Sequence, residues 1–263
     1  MIQESNIAAS VAGAFTQARL SASSLPNYPG ELPTSLSEAY KIQDEAIDLW
    51  SHTIAGWKIG GIGGDYQAEL GAGKLAGPVF ANQIYVSRGD SVIEMPVFAD
   101  GFAAIEPEIV MIVAKDAPQE KVEWSLDEAQ AYVGKVHIGV EIASSPFPAI
   151  NDMGPLVTIS DFGNNNGLII GQELSNWKES SLDDWTVETI IDGKSVGVTT
   201  PPGPLESFRF ILENTARRGR PLKKGMAITT GAITGVHQAF SGQSSTIHCS
   251  NAKDIDLKLV PST

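Results

Sequence analysis

One cysteine in 263 residues, Cys249, excludes an intrachain disulfide, and with only four histidines (His52, His137, His237 and His248) no zinc site of Cys/His spacing can be assembled. Basic side chains are scarce as well: 18 Lys and Arg face 31 Asp and Glu, a formal charge of −13. Such a surface repels nucleic-acid phosphates and anionic lipid headgroups alike, so neither is an expected partner. The acids are spread along the chain rather than gathered in a tail, which serves solubility. No stretch approaches the roughly 20 apolar residues of a membrane span. The N-terminal MIQESNIAASVAGAF carries acid rather than base ahead of its apolar run. A reducing, cytoplasmic setting is the expectation. The chain also lacks G-x-x-x-x-G-K-[ST], a complete G-x-G-x-x-G and the G-x-S-x-G elbow, so neither a phosphate loop nor an acyl-transfer triad has local support.

What is present is apolar material, 42% of the residues, enough for a sizeable core. Ile7, Val11, Ala14, Phe15 and Ala18 recur at helical spacing, and so do Ala39, Ile42, Ala46 and Leu49 behind a box-like Ser35-x-x-Glu38. Two amphipathic helices are therefore expected near 5–20 and 36–51. After a Gly-rich region from Gly56 to Gly77 come short β-type runs at 82–86, 104–114, 135–142, 156–160, 167–171, 185–191, 226–230, 244–248 and 254–260. Only two helices are expected among them, near 126–133 and 205–218, the second closed by Gly219. Strands that do not alternate one-for-one with helices point to an α+β fold with a rolled or sandwiched mixed sheet.

Within the strand-like A-I-E-P-E-I-V-M-I-V (104–113), Glu106 and Glu108 project to the same side. Two carboxylates that close repel unless a cation lies between them, so the pair marks either a divalent-metal site or a solvated strand face. Pro107 cannot donate to a ladder, which places it at an edge, a bulge or a strand start. Glu141 stands alone in the uncharged run Ile138 to Ala143. It is either a third ligand or a core acid satisfied by backbone amides, Lys135 or Lys58. Three carboxylates with water suit Mg²⁺ or Mn²⁺ rather than zinc. Lys58, in the glycine-bracketed G-W-K-I-G-G, either snorkels or meets an anion in a cleft. His137 shares a strand face with Glu141 and is a candidate for supporting it from behind.

An ordered set of motifs carries a resemblance. A-Y-x-I-Q (39–43), G-W-K-I-G (56–60), G-P-x-F (77–80), E-P-E-I (106–109), E-I-x-S (141–144), Ser160-Asp161 followed by Ile170-Gly171, and L-K-x-G-x-x-I-x-T-G-A (222–232) together resemble the 2-keto-4-pentenoate hydratase and 4-oxalocrotonate decarboxylase group of the fumarylacetoacetate hydrolase superfamily. The resemblance implies an N-terminal helical/α+β region (1–80) and a catalytic mixed β-roll (81–263). It also implies Mg²⁺ or Mn²⁺ on Glu106, Glu108 and Glu141, and a homo-oligomer. Lys58 matches the family lysine near the substrate, with Ser144, Asp161, Thr230 and Gly231 also facing it. The implied activity is a lyase, a hydratase of a small anionic 2-hydroxydienoic or 2-oxo acid. Decarboxylation, C–C hydrolysis of an acylpyruvate, and a non-catalytic carboxylate-binding role are the alternatives. Departures from the family pattern cluster around the substrate positions: Lys74-Leu75-Ala76-Gly77-Pro78 lacks the P-D-F-G acid, and Ser144-Ser145-Pro146-Phe147 lacks the D-S-R arginine.

Overall fold

A computed structural model describes residues 2–175, 177 and 185–263. Helix α1 (Ile2–Leu20) buries Val11, Ala12, Phe15 and Ala18, and packs on α2 (Leu36–Leu49), which buries Ala39, Ile42, Ala46 and Ile47. Ser35 caps α2 by accepting the Glu38 N–H. The Glu38 carboxylate reaches one residue further back than a capping box requires, to the Thr34 N–H at 2.8 Å.

The chain then continues through β1 (Ile54–Gly61), α3 (Gly64–Leu70), β2 (Lys74–Phe80), β3 (Ile84–Val86), β4 (Ile93–Val97) and β5 (Phe102–Val113). Next come α4 (Leu126–Gln130), β6 (Val133–Ser145), α5 (Pro155–Ser160) and β7 (Asn165–Glu173). β8 (Val187–Ile191), β9 (Lys194–Thr199), α6 (Leu205–Arg217), β10 (Ala227–Thr229), β11 (His237–Gln238), β12 (Ser244–Cys249) and β13 (Ile255–Pro261) complete it. An eight-stranded sheet runs β2-β1-β10-β5-β6-β7-β3, with β11 on β5, and a five-stranded sheet runs β4-β13-β12-β8-β9. Both are mixed: β1/β10, β3/β7 and β4/β13 are parallel and the other pairs antiparallel. Met95, Leu257 and Ile247 of the smaller sheet share one core with Ile105, Ile142 and Ile169 of the larger. The α+β class with a mixed, two-sheet body is thus the observed one, and the larger sheet runs across residue 80 because β1 and β2 belong to it.

Several local expectations are corrected. Residues 156–160 are not a strand but lie in α5, where Gly154 (φ 88) turns the chain and Pro155 occupies the first helical position with its φ already set. A third helix therefore interrupts this half. The Gly-rich region is mostly ordered as β1, α3 and β2, and β4 and β9 are additional strands. Gly219 does close α6, at φ 70, donating its N–H to the Ala216 carbonyl. Among the described residues no helix is long and apolar enough to cross a membrane.

Candidate metal centre and cavity

β5 and β6 pair antiparallel with Glu106 directly opposite Glu141 and Glu108 opposite Gly139, so the register brings three carboxylates to one side of the sheet. Their ligand-capable oxygens lie within 4.8 Å of one another, and all three residues are buried. Pro107 sits in the middle of β5 rather than at its edge or start. It is the neighbour that leaves the ladder: β10 pairs with Val110 to Ile112 and β11 with Ala104 and Ile105, while residues 230–236 between them loop away. The Pro107 carbonyl still accepts from the Ile233 N–H at 2.8 Å on that side. A strand residue's N and C=O point the same way, so the missing N–H falls in this gap and costs no ladder bond.

Only β10, three residues long, separates β1 from β5, and Lys58 of β1 brings its Nζ to 3.2 Å from Glu141 Oε1. Of the partners considered for Glu141, Lys58 is the cation that meets it; Lys135 pairs instead with Glu173. The strand opposite Lys58 carries Gly77, where a Cβ would lie 2.0 Å from the Phe162 carbonyl oxygen, so the segment at 162–164 can close over this point only because Gly77 has no side chain. Asn165 Nδ2 donates to Glu141 Oε1 at 3.0 Å and the Gly231 N–H to Glu108 Oε2 at 2.6 Å, with Gly231 at φ 113. The other oxygens, Glu108 Oε1 and Glu141 Oε2, are shut from solvent and have no hydrogen-bond partner.

Three carboxylates and one ammonium sum to −2 when all are ionised, and all four side chains are buried. Burial pushes the Glu106 carboxyl up to about 7, with Lys58 acting to lower it and the Glu141 charge adding to the rise. Burial, then the Glu141 charge, holds Glu108 well above the carboxylate range. Burial pulls the Lys58 ammonium downward, but the charges of Glu141, Glu106 and Glu108 outweigh it and keep it above its ordinary value. An all-oxygen donor set, two orphaned buried oxygens and a deficit of two positive charges fit a hard divalent cation.

The pH dependence follows in sign. Between an ordinary value near 4.5 and about 7, the folded metal-free chain keeps a proton on Glu106 that the unfolded chain has lost. Metal-free stability therefore falls as pH rises through this window, while metal affinity rises as the proton competitor leaves. The melting-temperature gain from saturating Mn²⁺ is expected to be larger at pH 8 than at pH 5.5, measured by scanning calorimetry.

The other sequence candidates are placed nearby but engaged elsewhere. Ser144 Oγ donates to the Phe102 carbonyl and accepts the Phe98 N–H. Thr230 Oγ1 donates to the Ile109 carbonyl, and His137 Nδ1 contacts the Gly171 carbonyl at 2.9 Å rather than any of the triad. Asp161 accepts from Arg19 Nε at 2.5 Å, from the same guanidinium at 2.9 Å and from Ser145 Oγ at 2.6 Å.

Arg19 is the residue that sequence reasoning missed. Its guanidinium, buried at the end of α1, also donates to the Ser144 and Asn165 carbonyls and to Asn166 Oδ1, and stacks on Phe162 at 5.1 Å. It thereby fixes the start of β7, from which Asn165 reaches Glu141. The available signal was a lone base four residues beyond Phe15 on the apolar face of α1. Truncating it strands a buried Asp161, so Arg19→Ala is expected to cost about 3–5 kcal/mol of stability in a denaturant titration.

Lys58 and Glu106 line a cavity of about 290 Å³ whose other walls include Tyr66, Asn151, Thr158 and Asn164. Glu108 and Glu141 lie buried without lining it.

Fold and site together define a class: a mixed two-sheet α+β body with a buried carboxylate triad and a lysine beside a small cavity. No protein-family profile matches the sequence, and no curated protein does. Among solved structures the chain is similar to 4-oxalocrotonate decarboxylase from Pseudomonas putida G7. The form complexed with calcium and acetate aligns over 97% of this chain and 98% of that one, at 18% identity and TM-score 0.77. The form with magnesium and adipate gives 19% identity over 96% and 97%, with the same score. Fumarylpyruvate hydrolase from Pseudomonas aeruginosa, in complex with Mn²⁺ and pyruvate, is similar at 12% identity over 81% of this chain and 93% of that one, TM-score 0.57. A yeast fumarylacetoacetate hydrolase family protein is similar at 15% identity over 78% and 92%, TM-score 0.51. The likeness is one of fold: the chain shares its two-sheet α+β architecture with these decarboxylase, fumarylpyruvate hydrolase and fumarylacetoacetate hydrolase family structures.

Proposed function

We propose that the chain is a divergent member of the fumarylacetoacetate hydrolase superfamily and a metal-dependent lyase, a hydratase of a small 2-hydroxydienoic or 2-oxo acid. The observation that carries this reading is the buried triad with its −2 balance beside Lys58, open to a cavity of substrate size through Glu106. Glu106, Glu108 and Glu141 would hold Mg²⁺ or Mn²⁺. Bound there, such an ion would supply a Lewis acid for a 2-oxo acid, stabilising negative charge that develops on its oxygen. Lys58, held protonated by its carboxylate neighbours, places a fixed positive charge and a proton beside the developing enolate. Asn165 and the Gly231 N–H fix the orientation of Glu141 and Glu108. In the net reaction on a 2-hydroxydienoic acid water's oxygen bonds to C4, its hydrogens end on carbon and on the new hydroxyl, and the enol proton moves from the C2 oxygen to carbon, giving a 4-hydroxy-2-oxo acid with no oxidant or reductant.

The extent of the likeness to 4-oxalocrotonate decarboxylase favours a second reading, loss of CO₂ from a 2-oxo diacid on the same scaffold. The test is to follow loss of 2-hydroxypenta-2,4-dienoate absorbance, and CO₂ release from 4-oxalocrotonate, with Mn²⁺ and with chelator. Metal-dependent consumption of the dienoate supports hydration; CO₂ release alone transfers the assignment to the second reading. Absence of both across a panel of such acids refutes the lyase assignment.

A further inference from the structure

The loop at 230–236, between β10 and β11, serves the site twice: its Gly231 N–H holds Glu108, and Ala232 and Val236 line the cavity. The Ile233 N–H ties its first half to β5 through the Pro107 carbonyl. Its second half is tied to the smaller sheet. Thr234 Oγ1 lies 2.7 Å from Oγ1 of Thr189, a buried residue of β8, and 2.8 Å from His237 Nε2. β9 closes over this pair at Gly197, where a Cβ would lie 2.9 Å from His237 Nε2 and 3.0 Å from Thr234 Cβ, so a side chain there would force the pair to move. Between Thr234 and Val236 stands Gly235, at φ 104 with open space about it, where the backbone can swing once Thr234 is released.

We infer that His237, acting through Thr234 and Thr189, is a positioning residue that fixes the cavity wall formed by Ala232 and Val236, and that it does so with its ring neutral. A ring with a bare Nε2 accepts the Thr234 hydroxyl proton while Thr234 accepts that of Thr189, so both hydroxyl protons have a destination within the fold. A protonated ring donates at Nε2. The single bond left between the two hydroxyls then uses one of their protons and strands the other, which loosens the tie that holds Thr234. Charged side chains on the neighbouring elements do not face the ring. Glu106 follows Ile105, the residue opposite His237, to the other face of β5; Glu188, with His248 of β12 opposite it, alternates with Thr189 to the other face of β8; and Lys194 opens β9 three residues before Gly197. Burial holds His237 below its ordinary value near 6.5, with the Thr234 backbone opposing that shift in part, so the ring charges only in more acid solution.

The effect on the loop needs no ligand, whereas the effect on substrate rests on the 2-oxo acid reading above. Both are read on the Mn²⁺-loaded chain, by amide hydrogen exchange over 230–240 and by calorimetric titration with 2-oxopentanoate. At pH 7.5, Thr189→Val and His237→Leu should speed exchange of this segment about tenfold or more and weaken 2-oxopentanoate about fivefold, the loss of one hydrogen bond. Mn²⁺ affinity should hold, because Gly231 and Ile233 keep their own bonds to Glu108 and Pro107. His237→Gln supplies an amide oxygen as acceptor and cannot titrate. It should match wild type at pH 7.5 and lack the faster exchange and weaker 2-oxopentanoate binding that wild type shows at pH 5. Exchange unchanged in Thr189→Val and His237→Leu, faster exchange with unchanged 2-oxopentanoate binding, or a wild-type response at pH 5 that persists in His237→Gln overturns the inference and leaves the 2-oxo acid reading intact. Mn²⁺ binding without any 2-oxopentanoate binding in wild type overturns that reading instead, and the exchange rates still decide whether His237 positions the loop.

Discussion

Glu106→Gln is expected to weaken Mn²⁺ binding at least about a hundredfold, beyond the effect usual for residues that merely support a metal ligand. The substitution keeps the shape of the side chain and removes one of three charges that share a buried site with a single ammonium. The same change should stabilise the metal-free protein at neutral pH, because Glu106 is held by burial near a pKa of about 7 and its ionised form is unwelcome there without a cation. Opposite signs in one variant, a firmer metal-free fold and a lost metal, are the signature of a ligand; a purely structural acid would give destabilisation alone. Calorimetric titration and thermal melts with and without Mn²⁺ read both, and wild-type affinity in the variant would remove Glu106 from the centre.

Lys58→Met should separate binding from turnover. The lysine is buried in β1, 3.2 Å from Glu141, and is the cation among the described residues that offsets the triad. Without metal, its loss leaves buried carboxylates uncompensated at a cost of about 3–5 kcal/mol, which Mn²⁺ should restore. Metal affinity should hold or rise, since a competing positive charge has gone. Turnover should fall roughly 10²–10⁴-fold, the range for losing a positioned proton donor. Loss of metal binding together with activity would show that Lys58 supports the site rather than the reaction. Denaturant curves, metal titration and steady-state rates distinguish these outcomes.

The triad was legible because its members are anomalies: Glu106 and Glu108 sit in an apolar strand and Glu141 alone in another, and burial makes an unexplained charge conspicuous. The register that sets Glu106 against Glu141 was not legible, since strand pairing is a long-range choice. The helices α1, α2 and α6 announced themselves by their 3.6-residue apolar period and their end signals. β1 escaped because Trp57 to Ile59 are buried on both faces, so it lacks the alternation that marks a half-wet strand. Pro107 suggested an edge, a bulge or a strand start, yet the break belongs to the neighbouring segment between β10 and β11, which local sequence at 107 does not report. Arg19 was missed for a similar reason: its partners Ser144, Asp161 and Asn165 lie more than 120 residues away.

The most direct test of the metal centre is anomalous diffraction from crystals grown with Mn²⁺. A single strong peak within about 2.0–2.3 Å of oxygens from Glu106, Glu108 and Glu141 is the predicted result. A peak elsewhere, or none between these three side chains at saturating Mn²⁺, would contradict it.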